Sequence, residues 1–234
     1  MKTLLLGTSV ALGIALAGGS AYAADLPMAA APVIVAAPEQ AAGYISIFGG
    51  YAFANTVHAH STATDFDVSE PFDAGYVIGG AVGTHLMPNL RGEVEVSYAS
   101  HAAAGATSTF ATGAGTAYGE GRVSTLYLLG NLWYDIDTGS AITPYLGGGI
   151  GAAVVMPNVT MDGTTAGYNT DAWAFAGQLG AGIKFAIADN ISLDLGYRAK
   201  EVFNASLTGS NGASNVTNVN YIDQSVQLGL TFGF

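Results

Sequence analysis

Residues 225–234 read Ser-Val-Gln-Leu-Gly-Leu-Thr-Phe-Gly-Phe. Val226, Leu228, Leu230, Phe232 and Phe234 alternate with Ser225, Gln227, Gly229, Thr231 and Gly233. Side chains on a strand point to opposite faces in turn, so one face is large and apolar and the other small or polar. A strand of about ten residues with one such face is long enough to cross a bilayer at a tilt.

Working upstream, seven further segments carry the same period. They are 44–53, 75–86, 90–99, 122–135, 142–155, 171–186 and 191–200, with 221–234 as the eighth. In 191–200, Ile191, Leu193, Leu195 and Tyr197 oppose Ser192, Asp194, Arg198 and Lys200; in 90–99, Leu90, Val94, Val96 and Tyr98 oppose Arg91, Glu93, Glu95 and Ser97. Short links rich in Pro, Asp, Asn and Gly follow the second, fourth and sixth segments: Met87-Pro88-Asn89, residues 136–141, and Ile187-Ala188-Asp189-Asn190. The other connections, 54–74, 100–121, 156–170 and 201–220, are long, rich in Ala, Ser, Thr, Gly and Asn, and hold no convincing element. Strict alternation of short and long links is what an up-and-down barrel requires, with short turns in the periplasm, long loops outside and both termini periplasmic. The expected fold is therefore all-β, an eight-stranded antiparallel transmembrane barrel, in which an even strand number closes without a free edge.

The charges give a second, independent argument. Arg91, Lys184, Arg198 and Lys200 all lie opposite the large apolar side chains, as do Glu93, Glu95 and Asp194. A soluble sandwich would do the reverse. An Arg or Lys on the lipid face near the midplane would cost about 2–4 kcal/mol. These seven residues are expected to form an ionic network inside the barrel, joining the third, sixth and seventh segments and completed by neighbouring strands, with Glu93 and Glu95 beside Arg91. Arg122 alone has outward parity, at the loop end of its segment, where the penalty falls to about 0–1 kcal/mol.

The amino-terminal region has a different character. Met1-Lys2, the apolar run 4–18 and Ser20-Ala21-Tyr22-Ala23 have the three parts of a secretory signal peptide, 1–23, with cleavage expected after Ala23. Residues 24–42 are Ala/Pro-rich, without strand period, and read as an exposed periplasmic tether, leaving 43–234 for the barrel. The chain has no Cys, which excludes a disulfide framework and a lipid-modified Cys. Only 10% of residues are charged, yet mean hydropathy is +0.38. No run beyond the leader reaches the 18 apolar residues of a helical span. Without Lys2, five basic residues face 17 acidic ones, a formal charge of 5 − 17 = −12, and no basic patch exists to meet nucleic acid.

Several stretches resemble the small opacity-type outer-membrane barrels, in the alphaproteobacterial branch of surface antigens and porin-family barrels. They are Leu128-Leu129-Gly130-Asn131-Leu132-Trp133-Tyr134-Asp135, Thr143-Pro144-Tyr145-Leu146-Gly147-Gly148-Gly149-Ile150-Gly151, residues 189–198, Leu228–Phe234, and the start Ala24-Asp25-Leu26-Pro27. The resemblance implies an abundant structural protein of the Gram-negative envelope, in contact with outer-membrane lipid and lipopolysaccharide. It further implies that Phe232 and Phe234 form the signal read by the barrel-assembly machinery. In some barrels of this type a mature Ala-Asp start is joined covalently to peptidoglycan, and Ala24-Asp25 matches it. Residues 24–42, extended, would reach about 60 Å. A narrow porin and a surface adhesin acting through the long loops are the alternative readings.

Enzymatic chemistry has little support. Of the four His, His58, His60 and His101 fall in expected loops and His85 beside a turn. None follows the pattern of a nucleophile, base and orienting acid. His58-Ala59-His60 supplies two metal-ligand types without a third, Asp65 and Asp67 being the nearest candidates. Gly147–Gly151 lacks the Lys and helix of a phosphate loop. No catalytic residue, metal or cofactor is expected.

Overall fold

The computed structural model describes residues 43–61, 66–109, 116–161, 167–210 and 216–234. The expected signal peptide, the tether and the Ala24-Asp25 start lie outside the described residues, as do the side chains of His58 and His60.

The described chain forms twelve strands. They are β1 (Gly43–Ala52), β2 (Asn55–Ser61), β3 (Phe66–Phe72), β4 (Gly75–Met87), β5 (Leu90–Thr109), β6 (Thr116–Asp135), β7 (Ile142–Met161), β8 (Gly167–Tyr168), β9 (Ala172–Ala188), β10 (Ile191–Leu207), β11 (Gly209–Ser210) and β12 (Val216–Gly233). Eight of them pair antiparallel in the order β1-β4-β5-β6-β7-β9-β10-β12, and β12 pairs back onto β1, so the sheet closes as a barrel. The closing ladder runs from Tyr44↔Gly233 to Ala52↔Ser225. Closure leaves no unpaired edge for lipid to face.

The alternation read from the sequence sets which face is which. Ile47, Ile150, Leu179 and Leu228 are more than half exposed, whereas the residues between them point inward and are covered. A ring of exposed aliphatic side chains around a closed barrel is a surface built for hydrocarbon. Tyr51, Tyr76, Tyr98 and Tyr197 lie on the outward face towards one end, and Tyr134 and Phe232 towards the other.

At the end where Tyr134 and Phe232 lie, the turns are short. Pro88-Asn89 and Asp189-Asn190 each close a hairpin in two residues. The link 136–141 is held by Gly139 N donating to Asp137 Oδ1 at 2.9 Å, with Gly139 at φ +66°. Gly43 and Phe234 meet at this same end through Gly43 N to Phe234 O at 3.1 Å and Phe234 N to Gly43 O at 2.9 Å.

The opposite end corrects the sequence reading. The expected loops are largely strand: β5, β6 and β7 each run for 20 residues, and their ladders continue past the aromatic belt to Thr109↔Thr116 and Gly119↔Met161. At about 3.3 Å per residue such a strand is roughly twice as long as a tilted crossing of the apolar layer needs. Residues 54–74 hold the β2–β3 hairpin, with β2 pairing to β12. Beyond the lipid the outward face no longer needs apolar side chains, so the apolar alternation fades while the backbone ladder persists.

Candidate functional site: the barrel lumen

The inward faces are unequal. β5 and β6 send in large side chains, Arg91, Glu93 and Glu95 from the first and Tyr127, Leu129, Asn131, Trp133 and Asp135 from the second. β7 faces them with Gly147, Gly149 and Gly151. A Cβ at Gly147 would collide with Trp133, and one at Gly149 with the Asn131 side-chain oxygen. Gly147 and Gly149 of the run flagged in the sequence are thus clearances for the bulky β6 row, which is how a narrow barrel packs its interior.

Arg91, Lys184, Arg198 and Lys200 meet Asp135, Asp194, Glu93 and Glu95 in the lumen, in layers. Near the short turns, Asp135 accepts from Arg91 Nε at 2.7 Å and Nη2 at 3.0 Å, a two-point clamp, and from Lys184 Nζ at 3.1 Å. Arg91 Nη1 also donates to Tyr44 Oη at 3.0 Å. One layer further in, Arg198 stacks 4.3 Å from the Trp133 ring centre and donates to Tyr145 Oη at 2.9 Å, and that hydroxyl donates to Asp194 Oδ1 at 2.8 Å. Glu93 accepts from Tyr44 Oη at 2.9 Å, Asn131 Nδ2 at 3.0 Å and Trp133 Nε1 at 2.7 Å. Above these, Lys200 Nζ donates to Glu95 Oε1 at 2.6 Å and to Ser97 Oγ at 2.6 Å, while Glu95 Oε2 accepts from Asn131 Nδ2 at 3.0 Å and Gln178 Nε2 at 2.8 Å.

Towards the long-strand end the lumen turns apolar. Val77, Tyr127, Leu129, Val155, Val202 and Val219 are all buried in one cluster contributed by β4, β6, β7, β10 and β12. Tyr221 Oη and Thr125 Oγ1 hydrogen-bond within it. Beside it His101 Nε2 contacts Asp223 Oδ1 at 3.3 Å, and His101 Nδ1 lies 3.1 Å from the Asp73 carbonyl oxygen. Both ring nitrogens of this histidine are therefore engaged. Among the described residues no group of three His, Asp or Glu side chains converges on a metal-sized site.

The structure brings all seven residues of the expected ionic set into the lumen, with one difference in partnership. Arg91 pairs with Asp135, from the neighbouring strand β6, rather than with Glu93 or Glu95. Asp135 had inward parity in the sequence but sits at the junction with a turn. His101 and Asp223 were missed because both fell in stretches read as loop or strand end. Phe232 and Phe234 lie at the short-turn end, exposed on the outward side.

A small cavity of about 30 Å³ remains between the charged layers and the wall formed by β1 and β12, with Ser46, Gln227 and Thr231 on one side and Arg91, Glu93 and Arg198 on the other. It has room for water, not for a hydrated solute.

A family model described as an outer membrane protein beta-barrel domain matches residues 11–234. The chain belongs to this outer membrane β-barrel family. Its place is accordingly the bacterial outer membrane, where the exposed aliphatic ring meets lipid. An uncharacterized protein of Brucella abortus is 36% identical to this barrel protein over 87 residues, which is 33% of this chain and 30% of that one. The chain thus matches under a third of the length of such relatives. In structure the barrel is similar to the outer membrane protein OprG of Pseudomonas aeruginosa, with TM-score 0.52 and 14% identity, over 83% of this chain and 97% of that one. It also matches Neisserial surface protein A at TM-score 0.46 and 18% identity, over 84% and 99%. At 14% identity the likeness to OprG speaks for the fold alone.

Proposed function

We propose that this protein is a structural, non-conducting barrel that anchors its amino-terminal segment in the outer membrane, with both termini periplasmic. The observation that carries this reading is the double obstruction of the lumen: the Lys200–Glu95 ion pair spans it, and an apolar stopper around Tyr127 lies above. An ion entering from either end would have to break a buried ion pair and then desolvate against valines and tyrosines. The first described residue, Gly43, is held against Phe234 at the short-turn end, so the covalent attachment point of the upstream segment is at that end. With short turns facing the periplasm, that is the side of the cell wall, and an amine on Ala24 would be within reach of peptidoglycan. Purified protein in a planar bilayer is expected to show no stable open level. Digestion of peptidoglycan from intact envelopes, followed by mass analysis, is expected to find a muropeptide on Ala24. A fully free amine there would dispose of the tether.

A narrow porin is the second reading, favoured by the polar cavity along Ser46, Gln227 and Thr231. A reproducible single-channel conductance from wild-type protein would replace the first reading with this one.

A further inference from the structure

Of the six basic residues in the sequence, Lys2 is in the expected leader and Arg91, Lys184, Arg198 and Lys200 point into the lumen. Arg122 is the remaining one, and it lies exposed on the outward face. We infer that Arg122, with the hydroxyl row of Ser100, Ser124 and Tyr98, is a docking site for the phosphate of a phosphorylated glycolipid in the outer leaflet.

Placement is the first reason. Ser124 is level with Ser100, and Ser100 with Tyr76, so these serines sit in the aromatic belt at the long-strand end. Arg122 is two residues further along β6, about 7 Å at strand rise. Leu126, Leu128 and Leu132 occupy the outward positions below. The guanidinium therefore stands where hydrocarbon gives way to headgroups, and a lipid phosphate lies at that depth.

Pre-orientation is the second reason. Arg122 Nη1 donates to Ser100 Oγ at 3.0 Å, Ser100 Oγ lies 2.9 Å from Ser124 Oγ, and Tyr98 Oη donates to Ser124 Oγ at 2.8 Å. Both serines are buried, on an outward face where Leu126, Leu128, Val94 and Val96 are the neighbouring outward side chains on β5 and β6. A side chain that merely extended towards water would need no such row. Here the hydroxyls fix one arm of the planar fork, and the opposite edge is presented in the geometry that suits two phosphate oxygens. An acidic chain in an anionic leaflet has use for one fixed contact of this kind.

The inference rests on the orientation proposed above, with the long-strand end outward. The test separates the two. In nanodiscs of phosphatidylcholine doped with bisphosphorylated or dephosphorylated lipid A, both leaflets carry the probe, so native mass spectrometry reads retention whatever the orientation in cells. Wild-type protein is expected to retain the bisphosphorylated form roughly five- to tenfold over the dephosphorylated one. Arg122→Gln should abolish that preference. Arg122→Lys should recover only part of it, and Ser100→Ala, which keeps the charge and frees the fork, should give an intermediate value. Millimolar inorganic phosphate should not compete, because the acyl chains hold the headgroup in place. Equal retention of both lipids by wild type, or an unchanged preference in heat-modifiable Arg122→Gln, would overturn the site. Displacement by inorganic phosphate would also overturn it, by showing a free-anion site. Labelling of single cysteines at Gly139 and Asn158 in intact cells tests orientation on its own.

Discussion

Lys200 Nζ and Glu95 Oε1 are 2.6 Å apart, and they come from β10 and β5, which stand opposite each other in the ring of eight. The pair is a crossbar over the full width of the lumen, and both side chains are almost wholly withdrawn from solvent. Its geometry makes a sharp statement about stability. Lys200→Met leaves Glu95 buried without a cation, and should lower unfolding free energy by about 3–5 kcal/mol. Lys200→Met with Glu95→Gln should cost clearly less than the sum of the two single changes. Urea titration in detergent micelles, read by the shift between heat-modifiable bands, checks both; strict additivity would mean that the crossbar carries no coupling.

Asp135 is the hub of the lower layer, holding Arg91 at two points and Lys184 at a third. Asp135→Asn strands two cations together and is expected to destabilise by about 3 kcal/mol. Lys184→Met removes only one partner of a carboxylate that keeps its bidentate Arg91, and should cost no more than half as much. Reversal of that order in the same titration would show that Arg91 does not depend on Asp135.

Gly149 clears space for Asn131. A methyl group at 149 meets the Asn131 side-chain oxygen and the Gly130 carbonyl. Gly149→Ala is expected to lose about 1–3 kcal/mol through overpacking and to disturb the Asn131–Glu95 bond. Gly139→Asn, in a turn with open space around it and a left-handed backbone, should be close to neutral by the same measurement.

Leu228 tests the outward face. It is over half exposed in the middle of the β12 row, so Leu228→Arg should cost about 2–4 kcal/mol in a bilayer. Refolding into lipid vesicles followed by denaturant titration reads the change. Comparable stability for Leu228→Arg would mean that this row does not face hydrocarbon.

Removing the obstruction should open the lumen. The triple variant Glu95→Ala, Lys200→Ala and Tyr127→Ala takes away both halves of the ion pair and the largest ring of the stopper. A stable conductance level absent from wild type is expected in planar bilayers. A variant that stays heat-modifiable yet silent would place the block elsewhere in the lumen.

The barrel and its two faces were legible in the sequence because lipid imposes a strict period of two. Val226 to Phe234 and Ile191 to Tyr197 could have been drawn on the outside from parity alone, and Arg91, Glu95, Arg198 and Lys200 on the inside. Where lipid stops, the signal stops. The extensions at 100–109 and 116–121 are strand by virtue of backbone pairing, with little apolar alternation to announce it.

Partnership across the lumen is of another kind. Parity puts Arg91, Glu93, Glu95, Asp135 and Lys200 on one face, and that much follows from chemistry and spacing along the chain. Which carboxylate each cation meets depends on strand stagger and on how the closed ring superposes layers from opposite walls. Arg91 finds Asp135 through the β5–β6 register, which sets Arg91 level with Trp133, whereas Lys200 finds Glu95 more than a hundred residues away because closure sets those atoms at one height. A linear pattern can assign a side; strand register and the closed ring assign the neighbour.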